Sequence, residues 1–161
     1  MLTFNHKGHL VPNTNIRSTL DELKTEFVDA FKSSSTKRSD LYKNYLQYSN
    51  DLKAVLQSES LLQWIDGSYV TKKQEPGDID LVTFIDGTIV DSLEALLEPF
   101  KYPQSVVNYG VDAYLVKVYD REDKRYPLFI GDQIYWMDLF DKTQRSRNGQ
   151  KHPKGFLEII Y

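Results

Sequence analysis

The sequence contains no cysteine, no long apolar run and no strong excess of charge. Without cysteine in its 161 residues, the chain forms no disulfide and offers no thiolate ligand to zinc. No segment approaches about 18 consecutive apolar residues, and the opening MLTFNHKGHLVPN lacks the apolar run of a secretory signal. These absences predict a cytoplasmic protein with no membrane partner. The net charge of −3 argues against general nucleic-acid binding.

Chain length and composition predict one compact domain with two sequence regions. With 40% hydrophobic and 13% aromatic residues, the chain can bury a core of ordinary size. Residues 1–58 comprise an irregular opening, up to residue 17, and a pair of helices, the first of which starts at a capping box of Thr19 and Glu22. Residues 59–161 interleave strand and helix patterns. This order predicts an α/β (α+β) fold, in which a small mixed sheet is flanked by helices.

The hydrophobic periodicity of the second region predicts its individual elements. Strands are expected over residues 61–65, 79–85, 111–119 and 155–161, and helices over 89–97 and 132–140. Trp64 and Trp136 both lie in apolar periodic segments, and we therefore expect both side chains in the core.

A Gly-Ser pair follows the first of these strands in the segment WIDGSYVTKKQEPGDIDLVTFID, residues 64–86. Gly67 permits a turn there. Ser68 has two interpretations: it caps a short helix, or its hydroxyl and the neighbouring amides bind an anion such as a phosphate.

The same segment carries an Asp-x-Asp triplet at the start of the second strand. Because side chains alternate along a strand, Asp78 and Asp80 share one face, with α-carbons roughly 7 Å apart. At an effective dielectric constant near 20, two charges at about that distance repel by roughly 2 to 3 kcal/mol. Carboxylate oxygens are the ligands that Mg²⁺ prefers, so a divalent cation would relieve this repulsion.

The chain ends with a basic segment, in which residues 142–157 contain no acid. Its basic side chains are Lys142, Arg145, Arg147, Lys151 and Lys154. Such a segment can bind an anion, or it can simply be a solvated loop, and charge alone favours neither interpretation.

The pattern Gly67-Ser68-x9-Asp78-x-Asp80 resembles the signature of the nucleotidyltransferase superfamily that includes DNA polymerase beta, and especially that of the minimal nucleotidyltransferases of bacteria and archaea. The string GSYVTKKQEPGDIDLV also resembles a little-characterised bacterial family of nucleotidyltransferase-like proteins that begin with a helical segment. The superfamily resemblance covers Leu61 to Tyr119, and the second is expected to extend over the whole chain. The spacer is one residue shorter than usual in minimal members.

This resemblance implies the nucleotidyltransferase fold and a third carboxylate on a later strand, for which Asp112 is the candidate. The alternative is that Asp112 is only an aspartate at the exposed start of that strand. By the resemblance, Asp78, Asp80 and Asp112 are catalytic and bind two Mg²⁺ ions, or Mn²⁺. The residues expected to bind the nucleotide are Gly67, Ser68, Lys73, Arg145, Arg147 and Lys154. For Arg145, Arg147 and Lys154 this rests on charge alone, and contact with a nucleic-acid or protein acceptor is the alternative.

The implied reaction moves an NMP from an NTP, such as ATP, to a hydroxyl acceptor on a protein, an RNA or a small molecule. A different function is that of a non-catalytic member of the fold, serving as an antitoxin or defence-system component with a small helical partner protein. A purely structural α/β domain is the third alternative, and it would leave the three acids unrelated in space. The presence of all three acids favours catalysis.

Overall fold

The structure, a computed structural model, describes residues 1–146 and 148–161. The strands are β1 (Thr3–Phe4), β2 (Leu10–Val11), β3 (Asn15–Ser18), β4 (Leu62–Asp66), β5 (Asp80–Asp86), β6 (Asp112–Val118) and β7 (Phe156–Ile160). The α-helices are α1 (Leu20–Phe27), α2 (Lys37–Leu56), α3 (Gly87–Ser92), α4 (Glu94–Leu97), α5 (Gln104–Tyr109) and α6 (Tyr126–Phe140). Short 3₁₀ turns cover Asp29–Phe31, Ser68–Val70 and Glu98–Phe100.

The central sheet has five strands in the order β3-β7-β4-β5-β6. Strand β4 is antiparallel to both of its neighbours, whereas β3 pairs with β7, and β5 with β6, in parallel. The predicted mixed α/β class is therefore confirmed. Strand β3 comes from the N-terminal region and forms one edge of the sheet, so residues 1–58 and 59–161 share one sheet.

Helices cover both faces of this sheet. On one face, alternate strand residues such as Ile65, Leu81 and Ala113 pack with α1 and α2 into the larger core cluster. On the other face, Trp64 and Phe84 belong to a smaller cluster with residues of α6. The two faces separate because a strand directs successive side chains to opposite sides.

Several helix predictions are confirmed, with changed boundaries. Thr19 caps α1 by accepting a hydrogen bond of 3.1 Å from the Glu22 amide. The helix predicted over 89–97 is instead two short helices, α3 and α4, because Asp86 caps an earlier start and the chain breaks at Leu93. Helix α6 begins at Tyr126, before the predicted 132, with a proline in its first turn, where a missing amide hydrogen costs nothing.

The prediction of an irregular opening is wrong. Strands β1 and β2 form an antiparallel hairpin, and β3 joins the central sheet. These strands are only two to four residues long, too short for a period-two pattern to stand out. The core prediction is confirmed for Trp64, which is 2% exposed, and in part for Trp136, which is half-buried and packs against the smaller core cluster. Within 1–146 and 148–161, no helix is both long and apolar enough to cross a membrane.

Candidate functional site

Three aspartates lie side by side at one end of the sheet, on three neighbouring strands. Asp66 ends β4, Asp80 begins β5 and Asp112 begins β6. In the register of the sheet, Asp66 pairs with Asp80, and Asp80 pairs with Asp112. By the alternation of side chains, all three belong to the sheet face that α6 covers. Strand pairing therefore concentrates negative charge at this end of the sheet.

Asp78, in the loop before β5, brings a further carboxylate to the row. Asp78, Asp80 and Asp112 each offer an oxygen within 4.8 Å of the others. Asp78 is exposed, and the other two are half-buried. The structure thus brings together the three acids that sequence analysis selected. It adds Asp66, which the sequence signalled only as the residue directly before Gly67.

The electrostatics of this cluster favour a bound cation. Burial raises the pKa of Asp80 to about 7, and repulsion from Asp78, Asp66 and Asp112 adds to the effect. Burial and the Asp78 charge also raise the pKa of Asp112. In the described residues, the buried Oδ1 of Asp112 has no hydrogen-bond partner. Because an unpartnered buried oxygen is costly and carboxylates suit Mg²⁺ or Mn²⁺, these acids fit a divalent-metal site.

The Gly67-Ser68 turn lies against the acid cluster. Gly67 has a φ of 85°, a conformation that side chains disfavour, and an added Cβ would be 2.8 Å from Asp80 Oδ2. Glycine is therefore required both for the turn and for the close approach to Asp80. Ser68 Oγ accepts a hydrogen bond of 2.9 Å from the Gly77 amide and donates one of 3.4 Å to Asp78. The turn thereby links both ends of the 68–78 loop.

A buried arginine on α2 anchors this loop. Arg38 is fully buried, and within the described chain its guanidinium donates hydrogen bonds only to backbone carbonyls; the acceptors are Phe27, Tyr69, Thr71 and Lys73. The bonds to Tyr69 and Thr71 measure 2.8 and 2.7 Å. This role of Arg38 was not predicted, since nothing in a helical pattern marks an arginine as buried. Arg38 thus fixes the loop that follows Ser68.

The fourth acid, Asp66, is paired with Lys154 from the basic segment. Both residues are 5% exposed, and Lys154 Nζ also donates a 3.3 Å hydrogen bond to the Phe140 carbonyl. Burial raises the pKa of Asp66 to about 6, and the Lys154 ammonium opposes that rise. Lys154, selected from sequence as a nucleotide-binding residue, is therefore engaged by the protein at the floor of the site.

The other predicted basic residues are distributed differently. Lys73 is exposed and lines the cleft over the acids, as does Lys72, whose ammonium is 3.1 Å from Glu26. Arg145 is exposed and does not belong to the cleft lining. Arg147 lies outside the described residues. The basic segment therefore does not act as one unit around the acids.

The cleft over the acids has a volume of about 1110 Å³. Its lining includes residues 4–9 of the β1–β2 hairpin, which sequence analysis had left without a role. It also includes four aromatic side chains from the sheet and α6: Tyr114 on β6, and Tyr135, Trp136 and Phe140 on α6. In the sequence, the only signals for these two parts of the cleft lining are the polar HKGH turn and the unusual density of aromatic residues in α6. The space is large enough for a nucleotide-sized ligand.

The fold and this cluster define a mixed α/β protein with a candidate divalent-metal cleft. The chain belongs to DUF6932, a family of unknown function, whose model matches residues 2–160. Neither the curated proteins nor the solved structures contain a match to the chain. The family match includes every residue that lines the cleft.

Proposed function

We propose that this protein is a metal-dependent nucleotidyltransferase, which moves an NMP from an NTP such as ATP to a hydroxyl group on a protein, an RNA or a small molecule. One observation carries this proposal: Asp78, Asp80 and Asp112 present oxygens within 4.8 Å of one another, and the Gly67-Ser68 turn lies beside them. On the same ground we assign the sheet to the nucleotidyltransferase fold.

The three acids would hold Mg²⁺ or Mn²⁺, and the sequence resemblance implies two ions. When bound, the metal neutralises phosphate charge and lowers the pKa of the attacking hydroxyl. Asp112 suits this role because its buried Oδ1 has no other partner in the part of the chain that the structure describes. Asp80 suits it because burial and the neighbouring carboxylates raise its pKa, and a bound cation would oppose both effects.

The chain's own residues bind and position the substrate. Ser68 Oγ and nearby backbone amides would hold the β and γ phosphates. The acceptor oxygen then forms a bond to the α-phosphorus, the bond between that phosphorus and the bridging oxygen breaks, and pyrophosphate leaves with the electron pair. The other oxygen of the Asp112 carboxylate would accept the proton of the acceptor hydroxyl. Lys73 adds positive charge at the exposed rim.

Transfer itself is tested by incubating the protein with each α-labelled NTP, Mg²⁺ or Mn²⁺ and cell lysate. We expect a labelled protein, RNA or small molecule in the wild-type reaction and none with Asp112→Asn. Metal-dependent nucleotide binding without any labelled product would support the non-catalytic alternative. The absence of both nucleotide binding and labelling would contradict the proposal that this protein uses an NTP.

A prediction for Asp78 concerns the joint binding of metal and nucleotide. At about 100 times the dissociation constant, a ligand that binds only the native state stabilises it by about 2.7 kcal/mol, which raises the Tm of a domain of this size by roughly 5 to 10 °C. We expect this shift only with Mg²⁺ and a non-hydrolysable NTP together. Asp78→Asn should abolish it, whereas the control Asp120→Asn, also exposed, should keep it. A full shift in the Asp78 variant would place the nucleotide elsewhere.

A second prediction isolates the phosphate-binding turn. Ser68→Ala removes one hydrogen bond to a charged phosphate, which is worth roughly 1.5 to 3 kcal/mol, and should weaken NTP binding about ten- to a hundredfold. Calorimetric titration with a non-hydrolysable NTP measures the change. The control is Ser92→Ala, whose hydroxyl bonds only the Ile89 carbonyl in the described chain and should have no effect. Equal affinity of both variants would argue against phosphate binding at Ser68.

A further inference from the structure

An aromatic surface adjoins the acid cluster on the same side of the sheet. Tyr114 lies two residues after Asp112 on β6, so both side chains share one face. The rings of Tyr114 and Trp136 have centroids 4.5 Å apart, and both residues are half-buried. Tyr135 contacts the Trp136 ring edge-on and is 60% exposed. Tyr114, Tyr135 and Trp136 form what we call the aromatic wall.

Trp136 differs from the core tryptophan in its hydrogen bonding. The buried Trp64 donates from Nε1 to Glu158 at 2.9 Å. Trp136 Nε1 forms no such bond with residues 1–146 or 148–161. Buried indoles usually find a partner for this donor. Trp136 therefore packs against the smaller core cluster and also lines the cleft, where part of its indole is available to a ligand.

The lining of the cleft changes in character across the sheet. On the β4 side it carries the Gly67-Ser68 turn and Lys73, with the hairpin turn that contains Lys7. The acids occupy the middle, and the aromatic wall begins on β6. A ligand with an anionic end, a metal-binding centre and a flat ring at the other end matches this order of basic, acidic and aromatic surfaces.

We propose that Tyr114 and Trp136 bind the nucleobase of the nucleotide by stacking. This inference rests on the proposed function and names the part of the site that holds the base. An aromatic face stacks on any base, because every base has a π face, so the wall is expected to accept several NTPs. Loss of one such stacking partner typically weakens binding about 5- to 150-fold.

The test uses tryptophan fluorescence, since Trp136 is one of only two tryptophans and the other, Trp64, is buried. With Mg²⁺ present, a non-hydrolysable ATP analogue should quench the wild-type emission, and tripolyphosphate, which has no base, should not. Trp136→Phe should abolish the quenching while calorimetry still shows nearly wild-type affinity, because phenylalanine can also stack. A fluorescence change that persists in this variant would overturn the assignment.

The affinities for the ATP analogue and for tripolyphosphate give a test that is independent of fluorescence. Trp136→Leu should lower affinity for the ATP analogue about 5- to 150-fold and leave affinity for Mg²⁺-tripolyphosphate unchanged. Leu128→Ala, on the same helix, 65% exposed and outside the cleft lining, is the matched control and should change neither.

The outcomes separate the two proposals. If the wild type binds the analogue and Trp136→Leu binds it equally well, the base-binding wall is wrong while the nucleotide site stands. If Trp136→Leu loses only transfer to the acceptor, the wall faces the acceptor, and the inference is again overturned. If neither the analogue nor tripolyphosphate binds with Mg²⁺, both proposals fail together.

Discussion

Replacing Lys154 by methionine is expected to lower the free energy of unfolding by about 3 to 5 kcal/mol, because it removes one partner of a buried ion pair. Asp66 would remain 5% exposed, without its cation and in register with Asp80. For a domain of this size the loss corresponds to a fall in Tm of roughly 6 to 20 °C. Thermal and urea unfolding without added metal measure it.

Two comparisons identify the cause of that loss. Lys151→Met, at an exposed position of the same segment, removes an equal charge and should have little effect. Asp66→Asn combined with Lys154→Met should recover much of the stability, because no unpaired buried charge remains. If the double variant is as unstable as Lys154→Met alone, packing of the lysine chain, and not its charge, stabilises the site.

The pH dependence of Lys154→Met follows from Asp66. Burial already raises the pKa of Asp66 to about 6 in the native protein, and loss of the opposing Lys154 charge raises it further. A carboxyl with a folded-state pKa above its unfolded value destabilises the native state at high pH and stops doing so when protonated. The deficit of the variant should therefore shrink as pH falls from 8 towards 5.

Only part of the acid cluster was predictable from local rules. Alternation along the chain predicted that Asp78 and Asp80 lie close together, whereas Asp112 was selected through the family resemblance, because its place beside Asp80 depends on the register of β5 and β6. Asp66 was not predictable, since its partner Lys154 is 88 positions away and the ion pair exists only after β4 and β7 align. Arg38 is a similar case, because its acceptors are carbonyls of a distant loop.

Charge and hydrophobicity alone did not predict which residues line the cleft. Lys154 and Arg145 belong to the same basic segment, yet Lys154 is buried in an ion pair and Arg145 is exposed outside the cleft. Helix α6 has apolar side chains on several sides, including the exposed Leu128, so periodicity could not show that Trp136 faces a cleft. Both outcomes depend on packing between distant elements.

Replacing Asp80 by asparagine should have opposite effects on stability and activity. The folded-state pKa of Asp80 is about 7, above the ordinary value near 4 that applies when the chain unfolds. Ionised Asp80 therefore destabilises the native protein without metal, increasingly as pH rises from about 4 through 7. Asparagine does not titrate, and its amide can donate to Asp78 or Asp112. We expect a gain of about 1 to 3 kcal/mol at pH 8 in EDTA that vanishes near pH 4.

The same substitution should remove transfer, because it takes away a metal ligand at the centre of the cluster. Metal stabilisation of several kcal/mol corresponds to a rate loss of about a thousandfold or more. Asp132→Asn, on the exposed side of α6, is the control and should alter neither property. Added Mg²⁺ and NTP should stabilise the wild type but not Asp80→Asn. A variant that is less stable in EDTA at pH 8, or that keeps full transfer, would show that Asp80 is a structural residue. The combination of greater stability and lost transfer is the result expected of a carboxylate whose charge is retained for a cation.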